Sequence, residues 1–185
     1  MAATPTTDIP LGFEAPGFAL TDAVTDTKVT SDDVFSGGPT VVVFMCNHCP
    51  FVIHILEAFV VFAADCRERG VNVVAISSND VVNYPQDDVA FMKALAEEHG
   101  FTFPYLYDAT QDVARAYDAA CTPDFSVFDA NRRCVYRGQF DGSRPGNDVP
   151  VTGEDLRRVV DLLLEGKAVP SEGQMPSIGC NIKWR

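Results

Sequence analysis

Residues 40–51, TVVVFMCNHCPF, constrain this chain more than any other stretch. Val41–Phe44 is an unbroken run of β-branched and aromatic residues, which reads as a strand buried on both faces, since a half-exposed strand alternates with polar residues. The strand runs into Cys46-Asn47-His48-Cys49, then Pro50, then a long apolar segment that reaches Arg69 before Gly70. A proline is tolerated in the first turn of a helix, where its missing N–H costs least. The pattern therefore predicts a helix from about Cys46 to Arg69, stopped by Gly70. Val71–Ser77 is a second continuous apolar run. Strand, helix and strand in this order form a βαβ unit with parallel strands, and a Cys-x-x-Cys at its first strand-to-helix junction is a redox motif.

The chain has 185 residues, 46% of them hydrophobic, which suits one domain with a sizeable core. That domain is expected over residues 13–185, following a mobile tail at 1–12 and including a C-terminal tail at 167–185 that packs down onto it. A net charge of -12 opposes contact with phosphate backbones, so no nucleic-acid partner is expected. No apolar run reaches the roughly 18 residues of a membrane span, and the first residues carry neither a basic region nor an apolar leader core. The expectation is a cytoplasmic protein that does not engage membranes. Permanent disulfides are rare in that compartment, so its six cysteines read as free, catalytic or buried.

Along the rest of the chain, Phe18–Leu20 and Lys28–Thr30 read as a hairpin, and Thr30 or Ser31 as the cap of a short helix. Ser78–Gln86 reads as a polar loop, Asp87–His99 as an amphipathic helix ended by Gly100, and Pro104–Asp108 as a short strand. Asp112–Ala119 forms a helix, Asp124–Asp129 and Arg133–Gly138 a hairpin. Thr152–Asp155 resembles a capping box ahead of a helix over Glu154–Glu165.

A thiol at a helix N-terminus meets unpaired N–H groups and the positive end of the helix dipole, and both favour the thiolate. Cys46, the first and expected to be the more exposed, is assigned as nucleophile. Cys49, one turn on, is placed to resolve a mixed disulfide. Asn47, His48 and Pro50 tune the couple, with the His48 imidazole near the Cys46 thiolate. Structural zinc asks for four ligands, usually as two close pairs, and there is no second pair, so no metal and no cofactor is expected.

With these residues in view, the chain resembles the thioredoxin superfamily, and within it the peroxiredoxin-like branch of alkyl hydroperoxide reductase and thiol-specific antioxidant proteins. The matching segments are FMCNHCPF, CTPDFSVFD, VYRGQFD and PSIGCNIKW. The resemblance implies an α/β thioredoxin fold, a central mixed sheet flanked by helices, here with an N-terminal hairpin and an inserted helix and strand. It implies a cis Thr122–Pro123 bond whose loop faces the two cysteines and receives substrate in extended form. The pattern also departs from its relatives. Val43 stands three residues before Cys46, where peroxidatic sites carry a threonine, and valine cannot donate a hydrogen bond to peroxide.

Cys121, next to Thr122, reads either as a third redox thiol or as a small hydrophobe packed beneath the site. Cys180 reads either as a resolving thiol in a tail that covers the site or as an inert anchor. Cys66 and Cys134 read as structural. The leading expectation is a thiol–disulfide oxidoreductase acting on protein or small-molecule disulfides and regenerated by an external thiol reductant. The alternatives are a thiol peroxidase, in which a Cys46 sulfenic acid condenses with a second thiol, and a redox-responsive binding protein without turnover.

Overall fold

The computed structural model describes residues 3–185. In chain order its strands and helices are β1 (Ala3–Pro5), β2 (Ala19–Asp22), β3 (Lys28–Thr30), α1 (Ser31–Val34), β4 (Thr40–Phe44), α2 (Pro50–Glu68) and β5 (Asn72–Ser77). Then follow α3 (Val89–His99), β6 (Tyr105–Tyr107), α4 (Asp112–Ala116), β7 (Cys121–Thr122), β8 (Asp124–Phe128), β9 (Cys134–Gly138), α5 (Glu154–Leu164) and β10 (Ile178–Asn181). The main sheet has the order β3-β2-β6-β5-β4-β8-β9. β4 and β5 pair in parallel, as the βαβ pattern requires, and β4 pairs antiparallel with β8 on its other side. Both neighbours are occupied and both faces covered, which is why all five residues of β4 are buried.

Two apolar layers sandwich the sheet. On one face α2 lays Val52, Ile55, Leu56, Phe59 and Phe62 against Val41, Val43, Phe125 and Phe140. On the other, Val42, Phe44 and Ile76 pack with Phe18, Phe35, Tyr117 and Phe128. Val41, Val43 and Val42, Phe44 thus divide between the two faces with the period of two that a strand imposes. Phe59 is the hub of the first layer, its ring centroid 5.4–6.1 Å from those of Phe62, Phe103, Phe125 and Phe140.

The structure corrects four expectations. Residues 3–7, expected within a mobile tail, are docked. β1 pairs antiparallel with β10, and Thr6 and Thr7 donate side-chain hydrogen bonds to Asp124 Oδ1 (2.8 Å) and the Asp118 carbonyl (2.6 Å). The cause is β10, whose outer row of N–H and C=O groups needs a partner strand. Secondly, α2 begins at Pro50 rather than near Cys46, with Cys49 as its N-cap in extended geometry (φ -69°, ψ 122°). A residue before proline is driven out of the helical region, so the start follows from Pro50 itself. Thirdly, no capping box forms at α5. The Asp141 carboxylate takes the N–H groups of Thr152 (2.7 Å) and Gly153 (2.6 Å) from across the loop. The fourth concerns the exposure of Cys46 and belongs to the site. As expected, Thr30 caps α1 through a reciprocal bond with Asp33, and Gly100 ends α3 in the left-handed region.

Candidate active site

β4 and β5 end side by side because they are parallel, so the chain leaves both at the same rim of the sheet, where open α/β sheets bind ligands. The Met45 N–H still bonds the Ile76 carbonyl (3.0 Å), which carries the strand geometry up to Cys46. Cys46-Asn47-His48 then crosses to Cys49, whose carbonyl accepts the first helical N–H groups, those of Val52 and Ile53 (both 3.0 Å). The Thr122–Pro123 peptide is cis, and Thr122 touches both sulfurs. Its carbonyl accepts a hydrogen bond from Cys49 Sγ at 3.0 Å, and its hydroxyl lies 3.6 Å from Cys46 Sγ. The loop therefore faces the cysteine pair as the resemblance implies.

Cys46 was expected to be the more exposed thiol. Instead both are buried, Cys46 at 1% and Cys49 at 0% exposure. The cover comes from two segments that lie far away in the sequence. One is β10, which pairs antiparallel with β7 so that Cys180 stands opposite Thr122. The other is the polar loop after β5, whose Asp87 is fully buried.

Asp87 organises the dipeptide between the cysteines. It accepts the Asn47 backbone N–H (2.9 Å) and the Asn79 side-chain amide (2.8 Å), and its Oδ2 lies 2.7 Å from His48 Nδ1. That last contact is close but off the hydrogen-bond line, so Nδ1 has no well-aligned partner. The Asn47 side chain is held between the Gln86 carbonyl and the Tyr105 hydroxyl, both at 3.0 Å. The His48 ring stacks on Tyr84 at 5.8 Å with 6° between planes, and Lys183 Nζ lies 5.6 Å from the centre of the same Tyr84 ring. Asn79 also accepts the Lys183 backbone N–H (2.8 Å), which ties the C-terminal segment into this network. Asp87, Asn79, Tyr84 and Tyr105 were not singled out from the sequence. The signal that could have found them is position: three, Asn79, Tyr84 and Asp87, fall in the segment directly after a parallel strand adjacent to the motif strand.

Cys46, His48 and Asp87 hold three potential ligand atoms within 4.8 Å of one another. Both Asp87 oxygens already accept amide N–H groups, and three donors are one short of a closed zinc site. Cys121 lies on β7 beside Thr122 but, as its strand neighbour, points to the opposite side. Its sulfur donates to the Pro123 carbonyl at 3.6 Å, and burial pushes the thiol up from its ordinary value. Burial also pushes Cys66 and Cys134 up to about 12. His54 bonds Ser143 at 2.7 Å, away from the pair, and Pro50 occupies the first position of α2.

The two thiols share one ionisation. Cys49 is lowered to about 4, chiefly because the Cys46 thiol donates to its sulfur, with burial opposing and the Thr122 hydroxyl and Cys180 assisting. Cys46 is raised in turn, by that same donation, by burial and by the nearby Asp87 charge. The 3.0 Å contact between Cys49 Sγ and the Thr122 carbonyl pulls the other way, since it favours a protonated Cys49. The neighbours of Cys49 draw the shared anion towards it, while burial and the Asp87 carboxylate disfavour an anion on Cys46. The ultraviolet absorbance of the thiolate is expected to persist down to about pH 5 and to disappear below it, where an ordinary thiol loses its anion below about pH 8.5. The linkage has a definite sign. A depressed Cys49 contributes stability that grows as pH rises from about 4 to about 9, and a raised Cys46 contributes stability that is lost above about 9. Relative to a Cys49→Ser variant, the reduced protein should therefore gain stability between pH 5 and 8 in urea unfolding.

Comparison with known proteins accords with this geometry. Residues 11–137 match the AhpC/TSA family. The chain belongs to the AhpC/TSA family. None of the curated proteins compared with it matches. An uncharacterized conserved protein from Geobacillus kaustophilus is similar at 55% identity and a TM-score of 0.97, over 100% of this chain and 97% of that one. A hypothetical protein from Sinorhizobium meliloti reaches 48% and 0.95 over 98% of each chain. A peroxidoxin from Mycobacterium tuberculosis shares the fold at 20% identity and 0.63, over 86% of this chain and 98% of that one. The AhpC/TSA protein described here has the thioredoxin fold, and its function is thiol-based redox chemistry. Among the described residues no helix is long and apolar enough to cross a membrane.

Proposed function

We propose that this AhpC/TSA protein is a thiol–disulfide oxidoreductase whose redox centre is Cys46 and Cys49. The observation that supports it is the contact of one residue, Thr122, with both sulfurs, through its hydroxyl to Cys46 and its carbonyl to Cys49. Both contacts serve one of the two positions of a single shared proton. With the proton on Cys46, Cys46 donates to the Cys49 thiolate. With the proton moved one hydrogen bond along, Cys49 donates to the Thr122 carbonyl and the Thr122 hydroxyl donates to a Cys46 thiolate. Proton transfer between the sulfurs thus generates the nucleophile without bulk water.

The Cys46 thiolate attacks one sulfur of a protein or small-molecule disulfide, and the other sulfur leaves as a thiolate. Cys49 then attacks Cys46 Sγ, releases the second substrate thiol and closes the Cys46–Cys49 disulfide. An external thiol reductant restores the dithiol. Asn47, His48 and Asp87 hold the crossing segment so that the sulfurs stay in reach during the exchange. Reduction of insulin disulfides with a thiol regenerating system tests the reading: turnover above the regenerating system alone is expected, and its absence together with a Cys46–Cys49 pair that cannot be oxidised would overturn it.

Family membership favours a second reading, a thiol peroxidase. Val43 supplies no hydroxyl, but Thr122 places one 3.6 Å from Cys46 from a different element. The second-order rate of the reduced protein with hydrogen peroxide decides between them. On the oxidoreductase reading it stays at that of an ordinary thiolate, and a rate orders of magnitude higher would favour the peroxidase.

A further inference from the structure

A sheet edge beside a reactive thiol is where an extended peptide would add as a further strand. In this protein the edge of β7 at Thr122 is already taken. β10 pairs with it antiparallel, Cys180 opposite Thr122 and Asn181 opposite Cys121, and the Ile182 N–H continues the ladder to the Ala120 carbonyl at 3.1 Å. The strand that occupies the edge thus carries a cysteine at the level of the residue that touches both sulfurs.

The seat is close-fitting. At Gly179 a Cβ would overlap the Thr122 carbonyl oxygen and come within 2.6 Å of its carbon. Only glycine lets the backbone of β10 approach the Thr122–Pro123 loop this closely. Cys180 follows directly, is 3% exposed, and packs in the same apolar cluster as Cys46 and Cys49. Through its strand partner Thr122, whose carbonyl lies 3.0 Å from Cys49 Sγ, Cys180 is held beside the pair, and its neighbourhood favours a thiolate on Cys49. Cys121 has no such arrangement, since its thiol is engaged with the Pro123 carbonyl.

We propose that Cys180 is a third redox thiol that exchanges with the Cys46–Cys49 disulfide, with β10 serving as a built-in substrate strand. The proposal rests on the reading of Cys46 and Cys49 as a redox pair. In the step, the Cys180 sulfur attacks Cys49 Sγ. The Cys49–Cys180 bond forms, the Cys46–Cys49 bond breaks, and its electron pair leaves on Cys46, which takes up the proton that Cys180 gives up. One thiol and one disulfide are consumed and one of each is produced, so no further oxidant or reductant enters. The oxidised protein then keeps its two oxidising equivalents in a buried Cys49–Cys180 bond, while Cys46, beside the Thr122 hydroxyl and Asp87, is again a free thiol.

The test uses the full chain. Reduced protein is oxidised with diamide, quenched with acid, labelled with N-ethylmaleimide in denaturant and mapped by peptide mass spectrometry. For the wild type a Cys49–Cys180 peptide is expected together with label on Cys46. In Cys180→Ser the Cys46–Cys49 disulfide should form and Cys46 should stay unlabelled. In Cys46→Ser the Cys49–Cys180 bond should form directly. Gly179→Ala, which unseats β10 without touching a thiol, should lower the Cys49–Cys180 yield by about tenfold or more while leaving Cys46–Cys49 intact. The proposal is overturned if the oxidised wild type holds only Cys46–Cys49 with label on Cys180, while Cys180→Ser forms Cys46–Cys49 equally well. If Cys180→Ser forms no Cys46–Cys49 disulfide at all, the oxidoreductase reading itself fails, and this one with it. Should Gly179→Ala not fold, the two cysteine variants decide alone.

Discussion

Cys46→Ser is expected to lower disulfide-reductase turnover by about three orders of magnitude or more, because a serine hydroxyl is not ionised at neutral pH and forms no mixed disulfide. The loss should be chemical rather than structural. The Cys46 side chain is buried and serine is nearly its shape, so the surrounding packing is kept. Cys49→Ser should behave differently. The first attack is slowed, because no Cys49 thiolate takes the Cys46 proton, but nothing resolves it, and a covalent adduct between Cys46 and a substrate thiol should accumulate in non-reducing gels. This contrast also settles the order of the two sulfurs. The anion resides on Cys49 in the resting protein, so Cys46 attacks only if the proton shifts between them. Accumulation of the adduct in Cys46→Ser rather than Cys49→Ser would reverse the roles. Full activity in Cys46→Ser would remove Cys46 from the mechanism.

The largest expected effect on stability is that of Phe59→Ala, about 3–5 kcal/mol. Phe59 is 2% exposed and joins α2 to β8 and to the segments carrying Phe103 and Phe140 through three ring contacts, with a fourth to Phe62 on α2 itself. Truncation removes the transfer energy of the ring and leaves a void that four other large side chains, each fixed by its own neighbours, cannot all fill. Urea unfolding should show a lower midpoint with an unchanged slope. Val61→Ala, on the exposed side of the same helix, is the control and should stay within about 0.5 kcal/mol of the wild type. Equal effects for the two would mean that α2 is not held by its aromatic face.

Much of the site could be read before any coordinates. β4, the Cys46–Cys49 motif and α2 follow one another in the chain, and their signals are local: a β-branched run, a proline at the first helical position and a glycine at the stop. Even the displaced helix start was written in Pro50, which excludes Cys49 from the helix. The Thr122–Pro123 loop was legible only through resemblance, since nothing in the local pattern places it against residues so far away. Asp87 was hidden because the sequence reads it as the first residue of a helix, whereas α3 starts at Val89 with Asp88 as its cap. Its burial and its bonds to Asn47 and Asn79 exist only once β4 and β5 bring their ends together.

By itself, then, the sequence determined that a parallel βαβ unit carries two cysteines at its first strand-to-helix junction, because strand and helix patterns are set by neighbours a few residues apart. Only the tertiary structure decided how those cysteines are enclosed. β10 is four residues long and interrupted by a glycine, and its pairing with β1 and β7 joins the two ends of the protein to its middle. Such pairing depends on backbone hydrogen bonds and on a close approach at Gly179, neither of which leaves a periodic trace in the side chains. The same approach buries both thiols, brings Cys180 to Cys49 and makes one ionisation the property of a cluster instead of a residue.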